Sequence, residues 1–186
     1  MPKLFFEQMK EQFLDDVLKI EEVSYGEHHW SKDSFRSEIK NCVSNYVCAC
    51  VSRCDSEVGD EPAMINTTKV IGYCGVWNIL EEAHITTLAV HPDYRGKKIA
   101  QALLVHVFES FYREKVKFVT LEVRVSNTPA IKLYEKFGFK SLGVRKKYYQ
   151  NNNEDALIMW TNNIFSQEFK LLYNDIKAKI TDEQTV

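Results

Sequence analysis

The sequence predicts an α+β fold in which helices flank a mixed central sheet of about seven strands. Three observations carry that expectation. Short apolar runs rich in β-branched and aromatic residues alternate with helical patterns through residues 4–160. The middle of the chain, 46–90, holds three strand-like runs with no helix between them, the pattern of an antiparallel meander. After it the order changes to helix, strand, helix, strand, which implies a parallel right-handed crossover. With 186 residues, 45% hydrophobic and 27% charged, the chain suffices for one domain with a full core.

Each element has its own signal. Leu4–Gln8 reads as a short first strand. From about Glu11 to Tyr25, apolar residues at 13, 14, 17, 18 and 20 keep a helical period. Ser31 is placed to cap a second helix that has Phe35 and Ile39 on one face. Tyr46–Arg53 reads as a strand, and the polar, aperiodic stretch 55–68, with Gly59 and Pro62, as a loop. Lys69–Ile79 and Ala83–Val90 complete the meander around a tight turn at Asn78–Glu82. A helix over 98–113, apolar at Ile99, Leu103, Leu104, Val107, Phe108 and Phe111, leads into the strand Phe118–Val125. The next helix is expected to start on Thr128 as N-cap with Pro129 in its first turn, and to stop at Gly138. Phe139–Tyr149 and Asp155–Trp160 read as the last two strands, joined through residues 150–153. Beyond Asn163, apolar residues at 165, 169, 172, 176 and 180 predict an amphipathic helix. The expected organisation is a domain over 1–162 and a helical extension over 163–186.

Composition narrows the function. A net charge of −2 gives no general basic field for nucleic acid. No apolar run approaches the ~20 residues that span a bilayer, and the first residues lack the apolar core of a signal peptide. A cytoplasmic protein without direct nucleic-acid or membrane contact is expected. The five cysteines, Cys42, Cys48, Cys50, Cys54 and Cys74, are odd in number and form no C-x-x-C pair. Buried reduced thiols are expected and no metal site, although Cys48, Cys50 and Cys54 with His28 or His29 form one conceivable grouping.

The chemistry concentrates between Leu88 and Tyr134. Residues 88–101 run from a strand through a turn with Pro92 and Gly96 into a helix. Arg95, Lys97 and Lys98 crowd the start of that helix, where the macrodipole already favours negative charge. Free N–H groups, a glycine turn and added cations there make a phosphate site. Glu122 interrupts an apolar strand, and a buried carboxylate is costly without a role. It is either paired with Arg124, two residues on and on the same face, or a reacting base. Tyr134, among Ile131, Leu133 and Phe137, reads as a core aromatic or as an acid.

Taken in order, L-A-V-H-P-D-Y-R-G-K-K-I-A and then L-E-V-R-V-S-N-T-P-A-I-K-L-Y-E-K-F-G-F resemble the GCN5-related N-acetyltransferase (GNAT) family, and within it the bacterial RimI type. Glu21/Glu22, Trp30-Ser31 and Phe35, Glu82-Ala83, and Arg145, Tyr148-Tyr149, Glu154-Asp155-Ala156 and Met159 extend the likeness over about residues 4–160. The resemblance implies a sheet splayed between its fourth and fifth strands, with acetyl-CoA as cosubstrate. Leu88, Ala89 and Val90 would pair with its pantetheine arm, Val90 also supplying an oxyanion donor. Arg95, Gly96, Lys97, Lys98, Ile99, Ala100 and Gln101 would cradle the pyrophosphate, and Asn127 would lie beside the arm or simply cap the next helix. Glu122 would be the general base and Tyr134 the acid for the departing thiolate. Tyr25, Trp30, Tyr148 and Tyr149 would form the mouth that receives the substrate. The implied partner is a protein N-terminus, that of a ribosomal protein beginning with alanine. A relative acting on lysine side chains or small amines is the alternative, and oligomeric state is unread. Lys98 stands where the family pattern has its first glycine, and a lysine keeping helical dihedrals is expected there.

Overall fold

A computed structural model describes residues 3–26, 29–54 and 66–184. Its elements are β1 (Leu4–Gln8), α1 (Leu14–Tyr25), α2 (Lys32–Lys40), β2 (Ser44–Cys54), β3 (Asn66–Ile79), β4 (Glu82–Val90), α3 (Ile99–Glu114), β5 (Phe118–Arg124), α4 (Thr128–Lys136), β6 (Phe139–Tyr149), β7 (Glu154–Thr161) and α5 (Gln167–Gln184). Most of the loop expected at 55–68, and His28, lie outside the described residues; from Asn66 the chain is already strand.

The strands form one mixed sheet in the order β1-β2-β3-β4-β5-β7-β6, with β4 and β5 parallel and the other neighbours antiparallel. Strand periodicity divides the core into two layers. On β2, Val47, Ala49 and Val51 face a core shared with α3 and α5, whereas Tyr46, Cys48 and Cys50 face α1 and α2. On β5, Val119, Leu121 and Val123 are buried and alternate with Thr120, Glu122 and Arg124. The six apolar positions expected on α3 are all buried.

Two local expectations are corrected. The cap of α4 is Asn127, whose side chain accepts from the Ala130 amide, and Thr128 is the first helical residue. The buried stripe of α5 is Phe169, Tyr173, Ile176 and Ile180, while Leu172 is 38% exposed. That stripe belongs to the same core as α3: the Phe108 ring stacks on Phe169 and lies beside Tyr173, whose hydroxyl donates to the Val105 carbonyl.

The splay is the feature that makes a site. β4 and β5 pair only from Glu82/Phe118 to Ile85/Leu121. At that point β4 carries a bulge, since Val76 faces Ile85 but Gly75 faces Thr87, leaving Thr86 as the extra residue. Two tyrosines hold the bulge, Tyr46 Oη lying 3.1 Å from Thr86 Oγ1 and Tyr73 Oη 3.3 Å from Thr87 Oγ1. Tyr46 can lie flat there because Gly75 has no side chain; a Cβ would sit 2.3 Å from the ring. Beyond Thr86 one edge of β4 stays on β3 and the other is left open.

Candidate active site

A cleft of about 680 Å³ opens where β4 and β5 part. Its floor is Ile85–Leu88 of β4 and Glu122–Arg124 of β5, with Asn127, Ala130 and Tyr134 from α4 and its cap. Glu21, Ser24, Tyr25 and Trp30 form one wall, Tyr148–Asn152 and Glu154 the other. The structure therefore brings together Glu122, Tyr134, Leu88, Asn127 and all four mouth residues expected from the sequence. Ala89, Val90 and residues 95–101 do not line the cleft; they stand past it, at the end of β4 and the start of α3.

The Glu122 side chain is 8% exposed. Its partners are His84 Nε2 at 3.1 Å and an Arg145 guanidinium nitrogen at 3.2 Å. The pairing with Arg124 that strand periodicity allowed does not form. Arg124 turns to the β6–β7 turn, donating to Glu154 and to the side-chain oxygens of Asn151 and Asn152, and stacking 3.7 Å from the centre of the Tyr149 ring. Glu154 also accepts from the Ser126 hydroxyl and amide, and these bonds hold its carboxyl down at about 2. Arg124 and Glu154 thus fix the wall that carries Tyr149.

A plain strand would send Tyr148 and Tyr149 to opposite faces. Here Arg145 pairs with Ala156 but Tyr149 pairs with Glu154, so β6 bulges between them, with Lys147 at φ 54°. The Asp155 carboxylate holds the bulge by accepting from the Lys147 amide at 2.8 Å and the Lys146 ammonium at 2.7 Å. Both tyrosines then reach the cleft, their rings perpendicular and 5.1 Å apart. Across from them Tyr25 Oη donates to the Leu88 carbonyl at 3.3 Å, and the buried Glu21 accepts from the Trp30 amide at 2.8 Å. Burial raises the Glu21 pKa against the lowering effect of that hydrogen bond. Tyr134 is 7% exposed and edge-on to Phe139. Burial pushes its phenol well above the ordinary tyrosine value.

The start of α3 is a different surface. Gly96 takes φ 76° with open space around its α-carbon. Ile99 is buried. Arg95 folds back, its Nε donating to the Val90 carbonyl and a terminal nitrogen to Ser24, which ties the loop to β4 and α1. Lys97 lies over the Tyr94 ring, and Gln101 accepts from Lys136. Lys98 corrects the expectation of helical dihedrals: it caps α3 at φ 56°, ψ 15°, the left-handed region. A glycine at this position would adopt that conformation without the steric cost. Lys98→Gly should therefore raise stability by about 0.5–1 kcal/mol in chemical denaturation. A loss of stability would show that the lysine side chain outweighs the backbone strain.

Cys48, Cys50 and Cys74 are buried thiols and Cys42 is exposed. Burial pushes Cys50 and Cys74 up to about 12. Among the described residues no three His, Cys, Asp or Glu side chains are grouped to hold a metal ion, and no helix is long and apolar enough to cross a membrane. His84 and Arg124 were missed as site residues in the sequence. The only signal for His84 was a histidine set between Ala83 and Ile85 of a strand.

The profile of the acetyltransferase (GNAT) family matches residues 15–139. A Bacillus subtilis protein, provisionally named a [ribosomal protein bS18]-alanine N-acetyltransferase, is 38% identical over 153 residues, 82% of this chain and 91% of its own. The crystal structure of the ribosomal-protein-S18-alanine N-acetyltransferase from Escherichia coli superimposes with a TM-score of 0.70 at 25% identity, over 89% of this chain and 97% of that one. Arabidopsis thaliana NAA60, solved with acetyl-CoA, shares the fold with a TM-score of 0.70 at 19% identity, over 86% of this chain and 98% of its own.

Proposed function

Because this chain belongs to the acetyltransferase (GNAT) family, we propose that it acetylates the α-amine at the N-terminus of a protein, the expected substrate being a ribosomal protein that begins with alanine. It is an acetyl-CoA-dependent N-acetyltransferase. The observation that carries the reading is the placement of Glu122. A nearly buried carboxylate lies at the fork of the sheet, in one cleft with Tyr134 and the tyrosines of both walls.

The residues present fit acetyl-CoA. The free edge of β4 beyond Thr86 offers backbone groups to an extended amide-bearing arm, as an added strand would use them. The start of α3, with Gly96 at positive φ and cations around it, suits a pyrophosphate. Bound there, acetyl-CoA supplies the activated acetyl thioester.

The rest is chemistry of this chain. An α-ammonium has a pKa near 7.7–8.0, against ~10.4 for lysine, so its proton is the easier to remove. Glu122 takes that proton, directly or through one water, and frees the amine to attack. Tyr134 then gives its phenolic proton to the departing thiolate and is reprotonated by the second proton that the attacking nitrogen sheds as the amide forms. Burial raises the phenol, so it holds its proton at neutral pH until the thiolate departs. Tyr25, Tyr148 and Tyr149 confine the incoming chain end.

The test is a panel of peptides with varied first residues, alanine-starting ribosomal peptides among them, beside free lysine and polyamines. Activity should follow the identity of the first residue, with alanine-starting peptides preferred. Activity confined to the small amines would overturn the proposal.

A further inference from the structure

Beyond Thr86 the free edge of β4 presents backbone groups that have no neighbour strand. In an antiparallel ladder, successive residues turn their N–H and C=O groups alternately toward the partner strand and away from it. The His91 amide donates to the Ile71 carbonyl of β3. By the same alternation Ala89 and Thr87 bond to β3, while Leu88 and Val90 face the edge that β5 has left. Side chains occupy both outward carbonyls. Tyr25 Oη donates to that of Leu88 at 3.3 Å, and Arg95 Nε to that of Val90 at 3.1 Å. A partly buried strand edge left bare would cost desolvation and would invite another strand.

The two caps share an anchor. Tyr25 is the last residue of α1, and a terminal nitrogen of Arg95 also reaches that helix end, donating to Ser24 Oγ at 3.3 Å. A strap thus ties the end of α1 to the free edge of β4. The same helix end, with Glu21, Ser24, Tyr25 and then Trp30, is the cleft wall that faces Tyr148 and Tyr149. The strap is light. Good hydrogen bonds run to about 3.2 Å, and both contacts to α1 exceed that length. Tyr25 is 43% exposed, and Gly26 after it closes the helix with open space around its α-carbon. The tyrosine can leave Leu88 without uncovering a core.

We propose that Tyr25 is a positioning residue that couples the two substrates. Its hydroxyl caps Leu88, as the Arg95 guanidinium caps Val90, until the amide-bearing arm takes the edge; the freed hydroxyl then meets the incoming chain end. This rests on the reading of β4 as the seat of that arm. Amide N–H groups lying along the edge satisfy the same carbonyls in the manner of an added strand, so the side-chain caps become redundant. Arg95, once released, stands beside the start of α3 with its charge available to the pyrophosphate. Tyr25 remains in the cleft wall, with its hydroxyl available to the acceptor. The coupling is reciprocal: whatever holds Tyr25 off Leu88 favours the arm, and the arm favours whatever engages Tyr25.

Hydrogen exchange of the parent, followed by mass spectrometry with and without CoA, tests the release. CoA alone should speed exchange over the last turn of α1, residues 21–25, by about twofold or more. A ligand that merely clamped the cleft would slow it. Adding an alanine-starting peptide should slow it again. Calorimetric titration tests the competition. Tyr25→Phe should bind CoA about two- to fivefold more tightly than the parent, and adenosine 3′,5′-bisphosphate, which lacks the arm, no differently. A tyrosine that only supported the fold or contacted the cofactor would give weaker binding on substitution. Melting temperatures show whether Tyr25→Phe is folded; if it is not, exchange in the parent decides. CoA affinity unchanged or weakened in a folded Tyr25→Phe, a gain shared by the bisphosphate, or exchange at 21–25 unchanged or slowed by CoA overturns the inference. If the peptide does not slow exchange while both cofactor results hold, the coupling to the acceptor falls. If CoA binds neither protein, the reading of β4 as the cofactor's seat falls with it.

Discussion

Replacing Glu122 by glutamine is expected to lower kcat by about 10²- to 10⁴-fold while leaving the affinity for acetyl-CoA within about twofold. Glutamine keeps the volume of the side chain and can still meet His84 and Arg145, so the fork of the sheet should be preserved. What it lacks is the ability to take a proton. The loss should shrink as the pH rises above about 8, because the α-amine then deprotonates without help. Steady-state rates across pH, with calorimetric titration of the cofactor, check both halves. Unchanged turnover at neutral pH would show that Glu122 is not the base.

Phe108→Ala should cost about 3–5 kcal/mol of folding stability. Its ring lies within 6.3 Å, centre to centre, of Phe111, Phe137, Phe139, Phe169 and Tyr173, which come from α3, the end of α4, β6 and α5. Truncation leaves a cavity at the point where these elements meet. Against a typical total of about 5–15 kcal/mol, that loss threatens the fold. Chemical denaturation measures it directly. A cost under about 1 kcal/mol would mean that α5 does not share this core.

The pieces legible in the sequence were those governed by local rules. The stripe of α3, the alternation of Val119, Leu121 and Val123, and the Pro129 and Gly138 punctuation of α4 each follow from periodicity or backbone chemistry. Residues that answer to distant partners were not legible. The partner of Glu122 is chosen across strands, where His84 and Arg145 approach and Arg124 is drawn off by Glu154 and the turn asparagines. Lys98 adopts a left-handed conformation because the turn after Gly96 demands it, although lysine by itself favours a helix. Tyr148 and Tyr149 share the cleft only because β6 bulges at Lys147. The cation cluster at 95–98 was visible, but Arg95 uses its charge to brace β4 and α1 as the chain stands.

The central claim is that this fork of the sheet selects an α-amine. It is tested most directly with one peptide that begins with alanine and carries an internal lysine, incubated with the enzyme and acetyl-CoA and sequenced by tandem mass spectrometry. The account predicts a single acetyl group on the terminal alanine nitrogen, lost with Glu122→Gln. An acetyl group on the lysine ε-amine, with the terminus left free, would contradict it.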